Sequence, residues 1–326
     1  MPAIKAVFFS EDQWEADRFG EKVPSSVSVV KLSRSASDAE AKAACQDADM
    51  VISGRIVRDP EVAKTFRKLK LVQVLSAGTD YLPVGALAEM GVRVANNQGA
   101  NSVAVAEVTV TLMVSTYRWL MVQWDQTNKK GTYHAGFEAG WERFHELTGK
   151  RVGIVGLGYI GSAVARRLQG WECEIVYHDI RKFDADYLEK AGNPKQVPFD
   201  ELLSTSDVIT NHTPLTPQAR HMYSDREFGM MKPGAIFINA SRGGVHDEKA
   251  LIRALDSGKI AGAGLDVTEI EPIEPGNPLI GRDNVVLLPH RAGTSIEARQ
   301  KAVDNAARNA ARLAEGKDPT GIVLPT

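Results

Sequence analysis

A glycine turn set between a β-prone run and an amphipathic stretch constrains this chain more than any other feature. Residues 152–155 are apolar and β-rich, residues 159–169 carry helical periodicity, and between them Gly156, Gly158 and Gly161 read G-x-G-x-x-G. In that setting Gly156 makes the tight turn, Gly158 lets a pyrophosphate approach the backbone, and Gly161 lets helix and strand pack closely. The phosphates then meet the positive end of the helix dipole. A second apolar run ends in Asp179, 18 residues past Gly161, about where an acid bonds the ribose of a dinucleotide. Strand, turn, helix and acid in this register predict a nucleotide site built from Gly156, Gly158, Tyr159, Ile160, Gly161 and Asp179. The charge on Asp179 faces a 2′-phosphate, so NAD is expected rather than NADP. Arg181 and Lys182 follow it and are expected to swing into water, offsetting only part of that repulsion.

The rest of the chain alternates in the same way. Strand-like runs at 4–9, 27–32, 50–53, 71–75 and 92–95 are interleaved with helix-like runs at 37–48, 60–67 and 84–90. Such alternation predicts parallel βαβ units and an open sheet covered on both faces. Asn101 reads as an N-cap, and the stretch from Ser102 to about Gln126 is apolar almost all round without internal Gly or Pro. A helix of that kind is buried, between domains or against a second subunit. The segment 128–148 is an extended excursion, after which alternation resumes through strands at 173–178, 207–211, 235–239, 260–266 and 285–288. Helices are predicted near 199–204, 225–231 and 247–256. The final helix, 295–315, carries the chain back to the first domain. At 326 residues the chain suits about two domains. The reading is two doubly wound α/β domains: a discontinuous flavodoxin-like substrate domain, 1–101 plus 295–326, and a Rossmann nucleotide-binding domain, 102–294.

Composition narrows the partners. A net charge of -2 provides no electrostatic footprint for nucleic acid or an anionic membrane. Acidic residues appear at Glu11 and Asp12, too early for a secretory signal, and no apolar run approaches bilayer length. Cys45 and Cys173 stand far apart, which predicts neither a disulfide framework nor a metal site but buried thiols in a reducing cytoplasm.

Three separated polar residues carry the chemistry. Arg242 follows the 235–239 strand, Glu271 follows the 260–266 strand, and His290 ends the 285–288 strand. Ligands of open parallel sheets bind at the carboxyl ends of strands, so all three project from the edge that holds the glycine turn. Together they suit hydride transfer to a 2-oxo acid. Arg242 binds the substrate carboxylate and polarises the carbonyl, His290 protonates the carbonyl oxygen, and Glu271 orients the imidazole and stabilises its cation.

With these pieces in order, nearly the whole chain resembles the D-isomer-specific 2-hydroxyacid dehydrogenase family. The matching stretches are Ser76-Ala77-Gly78-Thr79-Asp80, Asn101 to Glu107, the Gly156–Gly161 turn, His212-Thr213-Pro214-Leu215-Thr216, and the surroundings of Arg242, Glu271 and His290. The resemblance implies that Arg242, Glu271 and His290 are catalytic and that the amides of Ala77 and Gly78 receive the substrate carboxylate. It also implies that Thr213, Ala240, Asp266, His290 and Gly293 join the cofactor site, with Asp266 meeting the nicotinamide carboxamide, and that the protein is a homodimer built on the long helix. Arg291 and the 133–144 segment depart from the family pattern. No regulatory domain follows Thr326, which weighs against the long phosphoglycerate dehydrogenases. Arg55, after the 50–53 strand, reads either as a second anion contact or as a solvated arginine. Trp141 and Phe144 read as active-site caps or interface residues. The expected activity is NAD-dependent oxidation and reduction of a small 2-oxo/2-hydroxy acid pair such as glyoxylate/glycolate or hydroxypyruvate/glycerate. The competing readings are a dehydrogenase of formate or phosphite, and a dinucleotide-sensing corepressor-like scaffold.

Overall fold

A computed structural model describes residues 4–132 and 140–325. The chain divides into two compact units, 1–101 with 294–326, and 102–293. Of the 133–144 departure, residues 133–139 lie outside the described set.

In the first unit, Ile4–Phe9 (β1), Val27–Leu32 (β2), Met50–Ile52 (β3), Leu71–Gln73 (β4) and Arg93–Ala95 (β5) form a parallel sheet in the order β2-β1-β3-β4-β5. This is the doubly wound order found in flavodoxin-like folds. Alternate residues of β1 serve opposite faces: Ile4, Ala6 and Phe8 join one core, Val7 and Phe9 the other. Both faces being covered explains why the strands are near-continuously apolar. The first core is roofed by helices Gln13–Lys22 and Ile296–Ala314, through Ala16, Phe19, Val303, Ala306 and Ala310. The sequence reading lacks the first of these helices. Its ten residues bury only Glu15, Ala16 and Phe19, too few apolar positions to announce a helix by periodicity. Its neighbour across the roof specifies it instead. Arg18 makes a two-pronged pair with Asp304 at 2.8 Å on each prong, and Arg299 reaches the fully buried Glu15 at 2.6 Å.

In the second unit, Arg151–Val155 (β6), Glu174–His178 (β7), Lys195–Gln196 (β8), Val208–Asn211 (β9), Ala235–Asn239 (β10), Ile260–Leu265 (β11) and Val285–Leu287 (β12) pair in the order β12-β11-β10-β9-β6-β7-β8, all parallel. The strand order reverses at β6, which makes the crevice beyond the β6 and β9 carboxyl ends the topological switch point where such sheets bind ligands. The long apolar stretch differs from its sequence reading in two ways. It is two helices, Ser102–Tyr117 and Leu120–Lys130, separated by Trp119 with φ 50°. The first helix is buried against its own unit's sheet and the helix that follows the glycine turn, in a core that joins Met113 and Leu112 to Ile154, Ile236 and Ile238. A left-handed non-glycine residue costs on the order of 1–2 kcal/mol. Anchoring of the preceding turn offsets it, with Tyr117 donating its hydroxyl hydrogen to the Asp207 carbonyl at 3.0 Å. No Gly or Pro marks this break, so sequence alone runs the helix on. The N-cap read at Asn101 is not made either: its Oδ1 is buried without a hydrogen-bond partner among the described residues.

A buried amide helps tie the C-terminal segment into the first unit, beside main-chain bonds between Asn96 and Gly321 and between Val94 and Val323. Asn309 is 1% exposed. It donates to Gln73 Oε1 at 2.7 Å and to the Thr320 carbonyl at 2.9 Å, and accepts from the Thr320 amide at 2.8 Å. Asn309→Ala strands these partners in the core and is expected to destabilise the protein by roughly 1–3 kcal/mol. Urea unfolding followed by far-UV circular dichroism checks this, and an unchanged midpoint would show that the network contributes nothing.

Candidate active site

The second unit gathers its polar side chains at one sheet edge. β6 feeds the glycine turn, and Gly156 adopts φ 89°, a conformation that L side chains rarely take. A Cβ on Gly161 would drive into the Gly156 carbonyl oxygen, so the helix can start this close to the strand only with glycine there. Helix Tyr159–Arg167 begins with Gly158 as N-cap and no side-chain cap, which leaves its first amides pointing outward for an anion. Ile160 packs beside Ala240 and Ala292, with Val105 and Val108 completing the cluster. Tyr159 is exposed and Gly293 half-buried.

Asp179 sits just past β7, its carboxylate almost wholly covered. It accepts from the Leu157 amide at 2.8 Å, tying the β7 end to the glycine turn, and from the Arg181 amide at 2.8 Å. Arg181 does not swing into water as the sequence reading has it. Its Nε and Nη2 donate to the two carboxylate oxygens, both at 3.2 Å, and its guanidinium lies over the Phe183 ring at 5.0 Å. Burial pushes the Asp179 carboxyl up, but the bonds from Arg181 and the two amides outweigh it, so the group is held below the usual aspartate range.

Arg242, Glu271 and His290 follow β10, β11 and β12, three adjacent strands. His290 Nδ1 and Glu271 Oε2 are 2.7 Å apart. The other Glu271 oxygen accepts from the Thr268 amide at 3.3 Å. Nδ1 being engaged with the carboxylate, Nε2 is the nitrogen left to face a reactant. His290 itself has φ 54°, a strained value for a non-glycine residue, and Asp266 holds it there. The Asp266 carbonyl accepts from the His290 amide at 2.7 Å, and its carboxylate oxygens accept from the Arg291 amide at 2.9 Å and the Ala292 amide at 2.8 Å. Asp266 is 1% exposed. Burial raises its carboxyl above the ordinary value despite the two amide bonds. Arg291, an unfamiliar residue beside the histidine, thus contributes a main-chain donor that any amino acid other than proline supplies.

Arg242 is half-buried, with Nη1 donating to the Ser241 carbonyl at 2.8 Å. Beneath it lies a buried polar network that the sequence reading missed. Asn239 donates to the Arg242 carbonyl at 3.0 Å and accepts from the Ser241 amide at 3.0 Å. Asn211 donates to Ser241 Oγ at 2.7 Å and accepts from Thr213 Oγ1 at 2.9 Å. The next residue, Gly243, abuts the Thr268 carbonyl closely enough to forbid a side chain, so the Arg242 and Glu271 loops pack backbone to backbone. A cavity of about 710 Å³ opens beside Glu271 and His290, walled by Met121, Ile280 and Leu288.

The remaining predicted contacts belong to the first unit. The Ala77 carbonyl accepts from Asn96 Nδ2 at 2.6 Å and the Gly78 carbonyl from Ser76 Oγ at 2.9 Å. This pins a turn beyond β4 by its carbonyls. Arg55 is engaged with its own unit: Nη2 donates to Asp38 at 2.9 Å and to the Ala36 carbonyl at 3.3 Å. Phe144 is half-buried.

The sequence model of the D-isomer specific 2-hydroxyacid dehydrogenase NAD binding domain matches residues 110–292. The chain belongs to this family. It is 38% identical over 266 residues to a glyoxylate reductase of Thermofilum pendens, covering 81% of this chain and 78% of that one. It is 35% identical over 317 residues to a glyoxylate reductase of Korarchaeum cryptofilum, covering 96% and 90%. Among solved structures, the holo form of Rhodotorula graminis D-mandelate dehydrogenase superposes with a TM-score of 0.86 at 26% identity, covering 100% of this chain and 99% of that one. The protein is accordingly an NAD-dependent oxidoreductase of 2-hydroxy acids, and the uncapped helix, the glycine turn and the covered Asp179 fit that coenzyme. Among the described residues no cluster of metal-ligating side chains exists, and no helix is long and apolar enough to cross a membrane.

His246 closes the network under Arg242. It is fully buried, and because the Asn239 amide nitrogen can only donate, His246 Nδ1 accepts from Asn239 Nδ2 across 3.1 Å and the ring is neutral. Burial pushes its pKa down to about 4. The unfolded chain takes up a proton near pH 6.5 that the folded chain refuses, so the associated stability is present above that pH and is lost as pH falls toward 4. His246→Gln is expected to reduce the loss of stability between pH 7.5 and 5 by on the order of 2 kcal/mol. Urea denaturation at the two pH values measures it, and an unaltered difference would show that His246 carries no such linkage.

Proposed function

We propose that the protein reduces a small 2-oxo acid of the glyoxylate or hydroxypyruvate type to its D-2-hydroxy acid, with Arg242, Glu271 and His290 as its catalytic residues. The observation that carries this reading is the 2.7 Å His290–Glu271 pair at the edge shared with Arg242 and the glycine turn. The coenzyme, when bound, supplies the hydride. Arg242 holds the substrate carboxylate and the carbonyl oxygen with its planar fork, which a point charge does not reproduce. His290 delivers the Nε2 proton to the carbonyl oxygen as that oxygen gains charge, so the carbonyl becomes an alcohol. Glu271 keeps Nδ1 occupied and compensates the positive ring. In the oxidative direction His290 takes the proton back. For Ala77 and Gly78 the proposal is that their backbone amides receive the substrate carboxylate. For Thr213, Ala240, Asp266 and Gly293 it is contact with the coenzyme, Asp266 using lone pairs left over from its two amide bonds. The substrate class draws support from the glyoxylate reductases among the relatives.

Purified protein mixed with NADH is expected to oxidise it on addition of glyoxylate or hydroxypyruvate. His290→Ala is expected to lower kcat about 10²–10⁴-fold while NADH still binds. Near-normal turnover by this variant would sink the assignment.

The protein is further proposed to be a cytoplasmic homodimer. Both cysteines are free thiols, in keeping with a reducing compartment. Helix Leu120–Lys130 buries none of its residues and exposes Leu120, Met121 and Trp124, an apolar face that a second copy would cover. Sedimentation equilibrium is expected to give twice the chain mass, and the double variant Met121→Glu with Trp124→Glu the single mass. A monomeric wild type would refute the dimer.

A further inference from the structure

We infer that Arg181 sets the breadth of coenzyme selection by competing with the coenzyme for the carboxylate of Asp179. This rests on the reading of Asp179 as the ribose acceptor. A carboxylate offers about four lone-pair positions. Those of Asp179 accept from two main-chain amides, Leu157 and Arg181, and from two nitrogens of the Arg181 guanidinium. A ribose hydroxyl donating to Asp179 must therefore displace one of these. The amides are fixed, one by the glycine turn at the β6 end and the other by the turn at 179–181. The guanidinium is the partner that yields. Its two bonds, at 3.2 Å, are longer than the roughly 2.7–2.9 Å of strong charge-assisted pairs, and its side chain is more than half exposed.

Where the guanidinium sits decides what it does next. Nη2 lies 3.3 Å from the position a Cβ would take on Gly158, so the cation hangs between the acid and the second glycine of the phosphate turn. Phe183 supports its face at 5.0 Å, and Phe183 in turn stacks on Tyr187 at 4.6 Å. With NADH, the ribose takes over carboxylate positions and Arg181 gives up its ion pair, a penalty on the coenzyme that Asp179 would otherwise favour. With NADPH, the same movement exchanges a carboxylate for a 2′-phosphate, for which a planar guanidinium is well shaped. Arg181 thus narrows the preference for NAD that Asp179 alone would impose. Lys182, the other neighbouring cation, has no hydrogen bond or ion pair described with Asp179.

The experiment is a titration of the purified protein with NADH and with NADPH, read by coenzyme fluorescence, for wild type, Arg181→Ala, Lys182→Ala and Asp179→Ala. Arg181→Ala is expected to raise the Kd for NADPH at least tenfold and to leave that for NADH equal or lower, widening the ratio of the two. Lys182→Ala is expected to move the ratio less than about threefold, because a net-charge effect would treat the two cations alike. Asp179→Ala is expected to weaken NADH. If Asp179→Ala weakens NADH but Arg181→Ala leaves the ratio within twofold of wild type, or Lys182→Ala widens it equally, the inference about Arg181 is wrong and the ribose reading stands. If Asp179→Ala leaves NADH binding unaltered, the ribose reading itself fails, and the inference with it.

Discussion

The buried carboxylate of Asp266 governs the geometry of the second unit's active edge. Its main-chain carbonyl and both carboxylate oxygens accept from the amides of three consecutive residues, His290, Arg291 and Ala292. Those bonds stabilise the left-handed turn at His290, a conformation that local propensity opposes. With the turn fixed, the imidazole leaves the β12 end in the direction where Glu271 meets it. Replacing the Asp266 side chain would free the Arg291 and Ala292 amides and loosen the turn, while the main-chain bond from the His290 amide would remain. The histidine's reach therefore depends on a residue that contributes no atom to the His290–Glu271 pair.

A similar dependence holds at Arg242. Its backbone is fixed by Asn239, and Asn239 by Ser241 and His246, all buried. Polar groups in such surroundings are costly when unpaired, and apart from His246 Nε2 the side chains of this network are paired among the described residues, which restricts the arrangements open to the Arg242 loop. Gly243 then brings this loop against the Thr268 carbonyl. In this way the loops bearing the guanidinium and the carboxylate become one packed body. On the proposed mechanism a guanidinium, an imidazole and a hydride source meet one small acid, and a fixed relation between the loops lowers the cost of that meeting.

At the nucleotide edge the same physics runs the other way. Asp179 is satisfied by partners of two kinds, main-chain amides and a largely exposed guanidinium. The amides orient the carboxylate with the glycine turn, and the guanidinium screens it. An acid read from sequence as an open hydrogen-bond acceptor is in the folded chain an acceptor already in use.

Much of this was legible in the sequence. Parallel sheets covered on both faces write themselves as apolar runs spaced by helices, so most strands lie within a residue or two of their expected positions. The glycine turn, Asp179, and the order of Arg242, Glu271 and His290 follow from spacing, because each is set by local backbone geometry at a strand end. What sequence did not carry are the outcomes of competition among several groups for one partner. The helix break at Trp119, the first-unit helix specified by Arg18 and Asp304, the engagement of Arg181 with Asp179 and the Asn239–His246 network are of this kind. The periodicity of a segment reports which of its faces is apolar. It does not report which of several available partners a buried carboxylate or amide takes, since that is decided by the tertiary structure, where the cost of an unpaired buried polar group is weighed against the cost of bending the local chain.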